Sequence, residues 1–137
     1  MLFMKKTAAF LLLLMLLLML GGCKLVRIEE GERTPLKYTV VDHSQIPEQA
    51  AKLIEEKKEK EFQMAYQKGK DLYLIKGYGR QMSGGYSIQV TDLSASVNAV
   101  FFETKLIGPT EEVQGGEPSY PYIVVKTEYR DVPVQFR

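Results

Sequence analysis

Residues 62–78 read Phe62-Gln63-Met64-Ala65-Tyr66-Gln67-Lys68-Gly69-Lys70-Asp71-Leu72-Tyr73-Leu74-Ile75-Lys76-Gly77-Tyr78. In the first six, Phe62, Met64 and Tyr66 alternate with Gln63, Ala65 and Gln67, the period of a strand with one apolar face. Lys68-Gly69-Lys70-Asp71 is polar and carries a glycine, so it turns the chain. From Leu72 to Ile75 the apolar side chains are continuous, and the run extends to Tyr78. The stretch therefore predicts a hairpin, 62–67 with 71–78, and the fold is read outward from it.

Upstream, 36–42 is rich in β-prone residues (Tyr38, Val40, Val41) and predicts a strand. The next segment changes period. Ile46, Ala50, Leu53, Ile54 and Lys57 share one face of a helix, with the Lys57 stem extending the apolar stripe. Ser44 is the expected N-cap, and Pro47 suits the first turn. The charges from Glu55 to Glu61 form a solvated face, with i,i+3 and i,i+4 pairs each contributing roughly 0.2–0.5 kcal/mol. Downstream, Tyr86, Ile88 and Val90 alternate with polar residues in another strand. A short turn is expected near 93–95, then a strand over 96–107. Residues 108–119 form a polar loop rich in Gly and Pro. A long strand follows at 120–129, and 134–136 suits an edge, where Pro133 is tolerated. Neighbouring strands are close in sequence. The expectation is a single α+β domain, 36–137, with a mainly antiparallel sheet of about six strands and one helix packed on it.

The N-terminal end has a different composition. Lys5 and Lys6 precede an uncharged apolar run from Thr7 to Leu20, then Gly21, Gly22 and Cys23. A short basic region, an apolar stretch and small residues are the parts of an export signal. Leu20-Gly21-Gly22-Cys23 resembles the bacterial lipobox, in which the cysteine carries the lipid and becomes the first residue of the mature chain. Cys23 is the chain's one cysteine, so it has no intramolecular disulfide partner. Residues 1–22 are read as a lipoprotein signal peptide, Cys23 as the site of acylation, including palmitate-type chains, and 23–35 as a tether. The protein is expected outside the cytoplasm, held to the bacterial cell membrane through the lipid on Cys23.

The whole chain has Lys+Arg 18 against Asp+Glu 17. Removing 1–22 takes two lysines and no acid, so the mature balance is close to neutral and gives no broad field for nucleic acid. Asp42-His43-Ser44 has the residue types of a hydrolase triad. Such triads, however, converge from separated segments, and three consecutive residues read better as a strand–helix junction. His43 is the chain's one histidine, and with a single lipidated cysteine it cannot make a usual transition-metal site. Acidic clusters at 29–32 and 111–117 lack calcium-loop spacing. No catalytic residue, metal site or cofactor is assigned. Gly77-Tyr78-Gly79 and Gly84-Gly85 lie between strands, not before a helix, and read as backbone shape rather than a phosphate loop.

Tyrosine is more informative, because it joins apolar area to a polar tip and is enriched at protein interfaces. Tyr78, Tyr86, Tyr120 and Tyr122 border the 79–85 and 108–121 loops. For any one of them the plain alternative is strand packing. Tyr86, Tyr120 and Tyr122 are the candidate partner-binding residues.

The order Gly77-Tyr78-Gly79, Gly84-Gly85-Tyr86-Ser87-Ile88-Gln89-Val90 and Tyr120-Pro121-Tyr122-Ile123-Val124 resembles the C-terminal domain of the PrcB protease-complex subunit family, over about residues 70–136. The resemblance implies a non-catalytic, surface-anchored accessory protein that partners a secreted subtilisin-like protease. It carries over no catalytic residue. The sequence is thus read as a binding or assembly subunit of an extracytoplasmic protease complex. The alternatives are a protease inhibitor, with 108–119 as the inhibitory loop, or a structural envelope lipoprotein without a protease link.

Overall fold

The computed structural model describes residue 9, residues 31–110 and residues 116–137. Apart from Ala9, the predicted export segment lies outside the described residues, as do Cys23 and most of the predicted tether. Among the described residues, no helix is long and apolar enough to cross a membrane.

The elements run β1 (Thr34–Pro35), β2 (Tyr38–Val40), a 3-10 turn (His43–Gln45), α1 (Glu48–Lys57), β3 (Glu61–Lys68), β4 (Asp71–Tyr78), β5 (Ser87–Ala95), β6 (Val100–Ile107), β7 (Tyr122–Glu128) and β8 (Val134–Phe136). Within residues 31–110 and 116–137 the fold is α+β, mostly antiparallel, with one α-helix, as expected. The expected single sheet of about six strands is corrected. Among the described residues, eight strands form two four-stranded sheets, ordered β1-β5-β6-β8 and β2-β7-β4-β3.

The reason lies in the run that set the hairpin. Side chains alternate across a strand, so a continuous apolar run needs cover on both faces. In β4, Leu72 and Leu74 point between the sheets, where they meet Leu93, Ala95, Val100, Phe102, Ile123 and Val125. Tyr73 and Ile75 point the other way and meet Ala50 and Ile54 of α1, with Val41 and Val124. β7 divides in the same manner: Ile123 and Val125 to the sandwich, Val124 to the helix. The molecule is therefore three layers, sheet on sheet on helix, and β4 and β7 lie in the middle layer. Each fully buried aliphatic side chain there stabilises the fold by about 1.5–3 kcal/mol.

The predicted hairpin holds, with β3 and β4 paired from Glu61↔Tyr78 to Lys68↔Asp71. The expected turn near 93–95 is displaced. The β5–β6 register slips between Val90 and Asp92, so one extra residue is inserted in β5. After that bulge the inward positions change from Ile88 and Val90 to Leu93 and Ala95. The strand continues to Ala95, and the chain reverses afterwards, where the Ser96 amide donates to the Ala99 carbonyl, 2.9 Å. The 134–136 stretch is an edge strand, but it pairs in parallel with β6, Val100↔Val134. β1, the last two residues of the predicted tether, pairs with β5, Thr34↔Ala95 and Pro35↔Ser94.

The helix is shorter and its buried stripe narrower than the sequence suggested. Ala50 and Ile54 are buried, with Ile46 packed beside them; Leu53 is 37% exposed and Lys57 is on the surface. The buried row is spaced by four and continues to half-buried Lys58. Ser44 is not the cap of α1. Asp42 caps the 3-10 turn, its carboxylate accepting from the Ser44 amide at 3.3 Å, and Pro47 occupies the N-cap of α1 without a side-chain bond.

Candidate functional site

The β4–β5 and β6–β7 connections leave the sheets at the same end of the sandwich, called here the distal end. They carry the two motif segments, and backbone bonds join them. The Gln81 amide donates to the Ser119 carbonyl at 2.8 Å, and the Ser119 amide donates back to the Gln81 carbonyl at 3.0 Å. Ser119 Oγ donates to the Ser83 carbonyl at 2.6 Å, and Gln81 Nε2 to the Tyr78 carbonyl at 3.1 Å. The Tyr78 amide donates to the Pro121 carbonyl at 3.0 Å. Below this seam the Tyr78 and Thr104 hydroxyls share a short hydrogen bond, tying the two sheets together.

The segment after α1 joins the same end. The Arg80 amide donates to the Glu59 carbonyl at 3.1 Å. This close approach requires Gly79. Its φ is +75°, and a Cβ there would meet the Glu61 amide nitrogen at 2.9 Å. Gly85, at φ +85°, turns the chain beside Pro109, so it sets backbone shape as the sequence suggested. Gly84 has no such requirement.

The three candidate tyrosines divide between two sides of this end. Tyr86 is half-buried at the Gly108 corner. Tyr120 and Tyr122 are half-buried on the helix side. The His43 ring stacks on Tyr122, with centroids 4.4 Å apart and planes 12° from parallel. Lys58 Nζ lies 5.2 Å from the centre of the Tyr120 ring and pairs with Glu55 at 2.8 Å. The two motifs are thus brought together by backbone pairing, while their tyrosines face different neighbours.

The electrostatics follow these contacts. The hydrogen bond from Lys58 to the Glu55 carboxylate raises the ammonium pKa above its ordinary value, against the opposing effect of burial. Partial burial pushes the Tyr122 phenol up; Glu55 adds to this and Lys58 opposes it. Tyr122 is therefore a neutral phenol through the physiological range, available as a hydrogen-bond donor.

Sequence reasoning did not find the His43–Tyr122 stack or the Lys58–Tyr120 contact. Both partners come from segments distant in sequence, and no spacing connects them. It also missed Met82, 79% exposed in the 79–86 loop. An exposed methionine supplies an adaptable apolar contact. Asp42 and His43 do not approach triad geometry, since the carboxylate caps the Ser44 amide while the imidazole lies flat on Tyr122. Among the described residues, no group of three or more His, Cys, Asp or Glu could hold a metal ion. Tyrosine and methionine are residue types enriched at protein interfaces.

No curated protein and no solved structure matches the chain. The family model described as PrcB C-terminal matches residues 72–128. That span runs from the second residue of β4 to the last of β7 and contains both motif loops. Over residues 72–128 the chain is thus similar to the PrcB-type C-terminal domain family.

Proposed function

We propose that the protein is a non-catalytic, membrane-anchored lipoprotein that acts as a binding or assembly subunit for an extracytoplasmic protease complex. The match of residues 72–128 to the PrcB C-terminal family model supports association with a protease complex. The observation that carries the binding role is the backbone seam between Gln81 and Ser119, which unites the two family motifs in one surface. A surface built from two separate loops and bordered by half-buried tyrosines resists collapse and presents preformed area to a partner. The lipid on Cys23 would hold the subunit at the membrane, and a secreted subtilisin-like protease is the proposed partner.

Cross-linking the Cys23-anchored protein in native membranes, followed by affinity capture and mass spectrometry, tests the reading. Recovery of a secreted protease supports it. Reproducible recovery of another envelope protein in its place rejects the protease link. The anchor has its own test: Cys23→Ala should abolish incorporation of labelled fatty acid and release the protein from membranes. Unchanged labelling would reject acylation at Cys23.

A further inference from the structure

The end opposite the motif loops has its own character. β1 enters here, with Thr34 beside Ala95. The β5–β6 turn lies next to it, and its tip, Val97, is 87% exposed, the most exposed large apolar residue among those described. The β7–β8 connection reaches the same place, where the Val100 amide donates to the Pro133 carbonyl at 2.9 Å. The β3–β4 turn closes the group, with the Tyr129 amide donating to the Lys70 carbonyl at 2.8 Å.

These connections project cations. Lys37 and Lys70 line one shallow hollow with Lys126, Asp71 and Glu128. Lys37 and Arg130 line a second beside it. Lys68 flanks Lys70 in the turn. Lys37, Lys68, Lys70 and Arg130 are exposed, and none is in an ion pair among the described residues. The nearby acids are Glu32, Asp71, Glu128 and Asp131, so the cations exceed them by one when Lys126 is counted and the Arg33–Asp92 pair is set aside.

We infer that this proximal end rests on an anionic lipid surface, with Val97 at its apolar tip, and holds the motif loops at the far side of the domain. The inference rests on the proposed anchoring through Cys23. Ten residues lie between Cys23 and Thr34, and the eleven Cα–Cα steps reach at most about 40 Å fully extended. β5 is nine residues long, so the two ends of the sandwich are roughly 30 Å apart. Turning the domain over would require the connecting chain to run back along that whole length, leaving on the order of 10 Å of reach. With the proximal end down, no reach is consumed. Val97 then leaves water for the interface, and the projecting cations meet lipid head groups.

The test uses full-length protein, acylated in the cell and reconstituted into vesicles. Val97→Cys and Met82→Cys each place a thiol-reactive fluorophore at one end, since the Cys23 thiol is occupied by lipid. Quenching by a lipid-borne quencher in phosphatidylglycerol-rich vesicles should be at least about threefold stronger at position 97 than at 82. Vesicles of phosphatidylcholine alone, or the Lys37→Gln/Lys70→Gln variant, should weaken quenching at 97 by about twofold or more. Equal or reversed quenching at the two positions in protein of the acylated mass would overturn the orientation. Equal quenching at 97 in both lipids would overturn the assignment of an anionic surface. A mass without acyl chains would instead defeat the anchoring itself, so the two failures are distinguishable.

Discussion

The two faces of the middle sheet are covered by different kinds of core. Between the sheets, Leu72, Leu74, Leu93, Val100, Phe102 and Val125 form an aliphatic-dominated layer, contributed by strands from both sheets. On the other face a ten-residue helix supplies two buried side chains, Ala50 and Ile54, and much of the remaining cover is aromatic: Phe62, Tyr66, Tyr73 and Tyr122. The sandwich layer is closed by pairing on many strands and has little freedom to change. The helix layer is thin, rich in rings with polar tips, and continues directly into the His43–Tyr122 and Lys58–Tyr120 contacts. The closed aliphatic core and the thinner, ring-rich layer thus lie on opposite faces of the same two strands, β4 and β7.

This contrast can be broken most easily at Leu74, which is fully buried between the sheets. Leu74→Ala should cost about 3–5 kcal/mol, read as a lowered urea midpoint. Ile54→Ala, in the helix layer, should cost less, about 2–3 kcal/mol, because a single helix can settle onto the space left behind. Hydrogen exchange would sharpen the difference. Leu74→Ala should speed exchange in both sheets, and Ile54→Ala should leave β5 and β6 protected. Equal loss of protection in β5 and β6 would show that the layers are one cooperative core. Gly79→Ala should cost about 1–3 kcal/mol, since it forces a side chain into positive φ against the Glu61 amide.

The smallest effect concerns pH. The Tyr122 phenol has its pKa raised in the folded state, chiefly by burial. A raised value means that the folded protein holds this proton more tightly than the unfolded chain does. The corresponding stability is fully present below the ordinary tyrosine value of about 10 and is lost as pH rises through the folded value. Tyr122→Phe should therefore leave the unfolding midpoint nearly unchanged at pH 7 and flatten its decline above pH about 10. An unchanged alkaline decline would assign that titration to another group. Tyr129 is the first alternative, because burial and Asp131 raise its phenol too.

Much of this arrangement was legible in the residues. The period-two pattern of Phe62, Met64 and Tyr66 and the Lys68-Gly69-Lys70 turn defined the hairpin from local information alone. The continuous run from Leu72 to Ile75 also held the second sheet, because a strand apolar on both sides needs two covering layers. Ile123-Val124-Val125 repeats that signal. β1 was not legible, since two residues including a proline have no period and are placed by their pairing with Ser94 and Ala95. The bulge at Thr91 hid the end of β5 by reversing which residues face inward. The parallel pairing of β8 depends on where a connection passes, which no local pattern records. The two motif segments lie on loops that the fold joins, but the contacts of their tyrosines did not follow from spacing. His43 reads as a junction residue until the fold places it on Tyr122.

The central claim is that the distal loops form one partner-binding surface. Its most direct test is capture of the partner by wild-type protein and by Tyr120→Ala, cross-linked in native membranes and compared at equal amounts of folded, membrane-bound protein. The account predicts recovery of a secreted protease with wild type and at least about tenfold less with Tyr120→Ala, the loss typical of an interface hot spot. Undiminished recovery by a folded Tyr120→Ala protein would contradict it and return Tyr120 to a packing role against Lys58.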